Sequence, residues 1–188
     1  DLQPVRTGAG SDDANVAINR EEIDPDDNSI LVGRDPDGIT DRSVDVLRID
    51  TIDGIPLAVI VGYAAHPVVM GYFQYLYSQD YPGTVRSIVE KATNATCLFL
   101  TGAAGNQACW SFLQSDWGEQ ERMGGRIAGA AIKAFYGIET RPHKEIRKRG
   151  QSLSLIALYH KEFHDGPTHQ LFKTAHSTAT VKLQPLPS

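Results

Sequence analysis

The sequence predicts an α/β (or α+β) fold built on a mixed β-sheet flanked by helices. Three observations predict it. Short runs alternating apolar and polar residues crowd the first third of the chain, which is the period of a half-buried strand. Two later stretches repeat apolar residues at helical spacing. The order is strand-rich, then strand–helix–strand–helix, then strand again, which suits one sheet with helices packed on it. The 188 residues suit one domain, which at that length buries roughly 70% of its unfolded surface.

Residues 1–13 are polar and glycine-rich and read as a flexible lead-in, leaving residues 14–188 as the domain. "ANVAINREEI" alternates around Val16 and Ile18 and reads as a short strand. "DPDDNSILVGRDPDGITDRS" is dense in Asp, Pro and Gly and reads as turns around an extended piece, Ile30 to Val32. "VDVLRIDTIDGIPLAVIVGYAAH" reads as a hairpin. Val44 to Ile49 is its first strand, Asp53-Gly54 its turn and Leu57 to Tyr63 its second strand. The second strand is apolar on both faces, which places it centrally in its sheet.

"DYPGTVRSIVEKAT" reads as a helix, with Pro82 near its start and Val85, Ile88 and Val89 on one face. "TCLFLTGAAGN" is an apolar strand running into a glycine loop. It is not a phosphate-binding P-loop, because no Lys-Ser/Thr follows the last glycine. "DWGEQERMGGRIAGAAIKAFYGI" is a longer helix whose small residues allow close packing. The basic run Lys144 to Arg149 reads as a solvated connector, "QSLSLIALYHKEF" as a strand and "TATVKLQPL" as another.

Composition excludes several classes. The formal net charge of −5 is mild and acidic, against the basic face that nucleic-acid binding needs. No run approaches the roughly 18 apolar residues of a membrane-spanning helix. A start at "DLQPVRTG", without Met or signal peptide, reads as a processed product or the ordered part of something longer. The two cysteines, Cys97 and Cys109, leave two readings open: an exported disulfide, worth roughly 3 kcal/mol by chain entropy, or two buried free thiols. Asn94-Ala95-Thr96 fits a glycosylation acceptor, a tripeptide common by chance.

Sites in open α/β sheets lie beyond the carboxyl ends of strands. One predicted strand ends at His66 and another at Gly102-Ala103-Ala104-Gly105-Asn106. Spacing alone leaves His66 open between a hydrogen-bonded loop histidine and a metal ligand. Asp80 is open between a helix-end carboxylate accepting backbone N–H bonds and a carboxylate that orients a metal-bound group. Arg20 is either a surface arginine or a bidentate carboxylate binder. In the tail, "HKEFHDGPTH" brings His160, Glu162, His164, Asp165 and His169 close in sequence. On a helix, His160 and His164 would share a face and could hold zinc. The segment has a strand pattern, however, and there positions four apart lie roughly 13 Å from each other, which favours a polar loop.

Four motifs in order, "INR", "HPVVMG", "SQDYPG" and "FLTGAAGN", resemble the neutral/alkaline non-lysosomal ceramidase family over residues 14 to 136. The resemblance implies a zinc-dependent amidase that hydrolyses an N-acyl amide such as ceramide, in a secreted or extracytoplasmic setting. It implies His66 as a zinc ligand, Arg20 as a substrate or product carboxylate binder near the metal, Asp80 as the aspartate of an "SxD" motif, and Gly105-Asn106 as the lining of the catalytic loop. Zinc would lower the pKa of a bound water to around 7, and an arginine opposite would stabilise the oxyanion.

The sequence also departs from the family. Ala108 and Cys109 stand where the family carries Ser-Pro. No histidine precedes Arg20, although the family's first zinc histidine lies upstream of "INR". The family's glutamate and tyrosine ligands lie beyond this chain's length. The chain thus supplies one ligand of four by resemblance. Two readings follow. It is part of a zinc amidohydrolase, completed by the remainder of a longer or cleaved polypeptide or by other subunits, with a lipid amide as substrate. Alternatively it is a non-catalytic ceramidase-like domain with a structural, assembly or binding role.

Overall fold

A computed structural model of the protein describes residues 3–149 and 157–164. These fall into two compact units that divide after Arg141. In the first, a four-stranded sheet is built from β1 (Val5–Asp13), β4 (Ser43–Thr51), β5 (Pro56–Tyr63) and β6 (Thr96–Thr101), in that spatial order. The β1–β4 and β4–β5 pairs are antiparallel and β5–β6 is parallel, so the sheet is mixed. A smaller sheet holds β3 (Ile30–Asp35), β2 (Ala17–Ile23) and β7 (Gln107–Cys109), again in spatial order. The helices are α1 (Asp80–Thr93) and α2 (Trp117–Gly137). The second unit pairs β8 (His143–Arg149) with β9 (Ala157–Phe163).

The β4–β5 hairpin forms where the sequence places it. Val44, Val46, Val59 and Val61 are buried on one face, each worth roughly 1.5 kcal/mol or more. The turn closes as Gly54 N donates to Thr51 O at 2.9 Å. Gly54 has φ +85, a backbone region that glycine enters without steric cost. β5 lies inside the sheet, between β4 and β6.

Both helices pack on the valine face. α2 turns Met123, Ile127, Ala131 and Phe135 inward, and α1 turns Tyr81, Val85 and Val89 inward. Asp116 caps α2 by accepting from Gly118 N at 2.8 Å. Asn94 ends α1 in the left-handed conformation. Where the helices meet, a Cβ on Gly124 would lie 2.6 Å from Thr84 Cβ and 2.9 Å from Tyr81 O, so only glycine allows that approach.

The opposite sheet face carries an apolar row, Ala9–Leu47–Ile60–Leu98, set by the strand register. Leu98 and Leu100 on this face are exposed. Among the described residues of this unit, helices therefore cover one face of the sheet.

Three sequence expectations change. Residues 5–13, within the expected lead-in, form β1, paired along its length with β4. The glycines that suggest looseness make room there: a Cβ on Gly8 would meet Ile138 Cγ2 at 2.5 Å, and one on Gly10 would meet Ile138 Cγ1 at 3.0 Å. The basic run Lys144 to Arg149 lies in a strand, β8, because β9 supplies its partner ladder. The short β7 forms within what reads as loop. Cys97 and Cys109 are both free and buried, so of the two cysteine readings the free thiols hold. The expected strand "TATVKLQPL" lies outside the described residues, as does the first part of "QSLSLIALYHKEF".

A tyrosine ties the two sheets of the first unit together. Tyr63, at the end of β5 and 1% exposed, donates its hydroxyl proton to Ala14 O at 2.7 Å and accepts from Ala17 N at 2.9 Å. This anchors the start of β2 beside the end of β5, and β2 carries Arg20.

Candidate functional site

Because β5 and β6 are parallel and adjacent, their carboxyl ends open on the same side, the usual place for a site. His66 follows β5 after two buried alanines, and the loop 102–106 follows β6. β7 then runs between them and β2: Ala108 pairs antiparallel with Ile18 and forms a parallel bridge with His66. Arg20 and His66, 46 positions apart in sequence, thereby flank one loop.

That loop is held at four consecutive carbonyls. Ala104 O accepts from His66 Nδ1 at 2.6 Å and from Gln107 N at 3.2 Å. Gly105 O accepts from Arg20 Nε at 3.1 Å. Asn106 O accepts from Arg20 N at 2.8 Å, and Gln107 O from His66 N at 3.0 Å. A carbonyl oxygen can only accept, so Nδ1 of His66 carries a proton. In the neutral ring, Nε2 then holds the lone pair and is the nitrogen that can bind a metal. Arg20 spends Nε on the loop and makes no ion pair among the described residues. Gly105 faces open space, with nothing within 4 Å of the Cβ it lacks.

Asp80, 6% exposed, takes part differently. Its carboxylate accepts from Val69 N at 3.3 Å, Met70 N at 2.9 Å and Tyr81 N at 2.7 Å. Two of these donors, Val69 and Met70, belong to the preceding loop and not to α1, so the carboxylate ties that loop to the start of the helix. Its φ of +52 is uncommon for a residue with a side chain, though Asp tolerates it better than most. Asp80 pins residues 69–70, just beyond His66, while the Tyr81 hydroxyl donates to Ala65 O at 2.6 Å, just before it. Helix α1 thus fixes the His66 segment from both flanks.

Ala108 and Cys109 are fully buried in β7. Burial, and after it the nearby Asp80 charge, pushes the Cys109 thiol far above its usual range, the opposite of an activated nucleophile. In the second unit, His160 and Glu162 lie on β9 and His164 just past it, in line with the strand argument. Among the described residues, no three His, Cys, Asp or Glu side chains converge as a metal site. Asp165 and His169 lie outside the described residues.

Sequence reasoning misses Gln107, which is 3% exposed. Its Oε1 accepts from Asp41 N at 2.9 Å and its Nε2 donates to Ala103 O at 3.2 Å. A polar residue after Gly-Asn reads as more loop, so no signal singled it out. A cleft of about 600 Å³ between β2, residues 35–42 and α2 includes Arg42, Arg122 and Arg126 in its lining but neither His66 nor Arg20. Its arginines are engaged locally, by Asp13, Glu119 and Asn15 O respectively.

Among solved structures, the chain is similar to the neutral ceramidase of Pseudomonas aeruginosa, with a TM-score of 0.56 and 18% identity over 78% of this chain. It is similar also to a ceramidase complexed with C2, with a TM-score of 0.57 and 21% identity over the same share. The chain has a ceramidase-like fold. It spans 25% of the length of each of those chains, so the ceramidase-like part is a partial domain. No protein-family model matches the sequence, and no curated protein matches it. At these identities the ceramidase likeness concerns the fold. Among the described residues, no helix is long and apolar enough to cross a membrane.

Proposed function

We propose that the chain is part of a zinc-dependent amidohydrolase that cleaves an N-acyl lipid amide such as ceramide, acting outside the cytoplasm. The observation that carries this reading is the shared grip of His66 and Arg20 on the loop 104–107, which leaves Nε2 of His66 free to coordinate. The described residues fit zinc as donors of one ligand, His66. The remaining ligands come from the rest of a longer or cleaved polypeptide or from another subunit. When bound, zinc would polarise the amide carbonyl and activate water. The chain's own residues then have defined tasks. Arg20, fixed by its Nε, presents its remaining N–H groups to a carboxylate or an oxyanion. Gly105 and Asn106 line the approach, and the open space at Gly105 lets substrate come close to the backbone. Asp80 holds the His66 segment through backbone amides.

A second reading, a non-catalytic ceramidase-like domain serving assembly or binding, is favoured by Ala108. This fully buried methyl group stands where the resemblance expects a serine hydroxyl. Metal analysis of the protein with whatever copurifies separates the two. Stoichiometric zinc that is lost in a folded His66→Ala variant, together with N-acyl amide hydrolysis, supports the enzyme. A complete assembly with neither zinc nor amidase activity leaves the binding role.

A further inference from the structure

We propose that Gln107 is a positioning residue for His66, selecting the imidazole tautomer whose Nε2 is free to bind a metal. The metal part of this statement rests on the reading above; the tautomer part does not. A free histidine in water favours the proton on Nε2, which would block that nitrogen. The structure holds the reverse arrangement through one carbonyl, Ala104 O, which accepts from His66 Nδ1 at 2.6 Å.

Gln107 fixes that carbonyl from several directions. Its own N–H donates to the same oxygen at 3.2 Å. Its Nε2 donates to the preceding carbonyl, Ala103 O, at 3.2 Å. Its Oε1 accepts from Asp41 N at 2.9 Å, which ties the arrangement to the segment entering β4. Its own carbonyl accepts from His66 N at 3.0 Å, so imidazole and acceptor share one frame. A buried carboxamide is costly unless both ends are bonded, and here both ends are used on this frame. Outer groups that orient a ligating histidine typically carry a 10- to 100-fold effect on metal affinity.

The test is the tautomer of His66 in the ¹⁵N-labelled 188-residue chain. It is read from two-bond ¹H–¹⁵N correlations at a pH well above the imidazole range. The wild type is expected to show Nδ1 protonated and Nε2 bare. Gln107→Ala shifts the population several-fold toward the Nε2–H form. Gln107→Glu, which keeps the acceptor for Asp41 N and loses the donor to Ala103 O, falls between them. Val89→Ala, a core truncation in α1, lowers stability while leaving the tautomer unchanged, which separates positioning from general loosening. If Gln107→Ala does not fold, Gln107→Glu decides the matter. Wild-type tautomer in a folded Gln107 variant overturns the proposal, as does an Nε2–H wild type. Zinc titration of the assembly that supplies the other ligands reads the metal part: Kd rises about 10-fold in Gln107→Ala. A tautomer shift without zinc binding by the complete assembly in any form sustains the positioning role and removes the zinc reading instead.

Discussion

Tyr63→Phe isolates one hydroxyl. The ring of Tyr63 stays packed and Ala14 O keeps Val16 N as a donor at 2.8 Å, while the buried Ala17 N–H loses its partner. One unsatisfied buried donor costs about 1–3 kcal/mol, and the variant should be less stable by that amount. At roughly 3 °C per kcal/mol for a chain of this size, Tm falls by about 3–9 °C. Urea unfolding should show a lower midpoint at unchanged slope.

Raising the pH adds a second signature. Burial raises the Tyr63 hydroxyl from 10.0 to about 12. Below pH 10.0 both folded and unfolded chains keep the proton, and the stabilising effect of the neutral hydroxyl is complete. Between those values the unfolded chain binds fewer protons, so stability falls as pH rises. The wild type loses up to about 2–3 kcal/mol across this window by the linkage of 1.36 kcal/mol per unit, and the Phe variant loses none of that share. The gap between the two proteins should therefore narrow as pH rises. A destabilisation below about 0.5 kcal/mol, or a gap that does not change with pH, refutes the reasoning.

Three further outcomes are expected. Gly124→Ala forces a Cβ into Thr84 and Tyr81 O and should cost about 1–3 kcal/mol, whereas Gly129→Ala, with open space around it, should stabilise α2 by up to about 1 kcal/mol; parallel urea titrations check the opposite signs. Arg48→Met strands the Asp50 carboxylate, which is 1% exposed, and should cost about 3–5 kcal/mol; the added change Asp50→Asn should recover part of that loss in thermal unfolding. In native protein at neutral pH, alkylation of both thiols should be slow, because burial holds Cys97 up at about 11 and Cys109 higher still. Mass spectrometry showing Cys109 labelled as fast in native as in denatured protein would contradict this.

The elements legible in the sequence are those whose local pattern and tertiary role agree. The β4–β5 hairpin has two strands rich in β-branched residues and an Asp-Gly turn, and α1 has apolar residues at helical spacing, so both emerge at their expected places. β1 is illegible because its glycines answer to Ile138, which lies 128 positions beyond Gly10 and has no local trace. β7 is three residues long, too short for any periodicity. β8 hides because neither face of its charged run is apolar, and only the partner β9 defines it. At the site, strand ends and the motif order bring out His66, Arg20 and the glycine loop. The grip itself is made of backbone carbonyls, which carry no residue identity, so the sequence is silent on it.

The end of α2 has one more consequence. Its last turn carries no basic residue of its own. Arg48, from β4, supplies the charge: its Nη1 donates to Phe135 O at 3.4 Å and Ile138 O at 3.3 Å, with the guanidinium 4.4 Å from the Phe135 ring centroid. A cation there complements the negative end of the helix. The stop signal of this helix is thus lent by a strand 87 residues upstream. The final turn of α2 should therefore set only after β4 has docked, and a peptide carrying residues 117–138 alone should fray at that end.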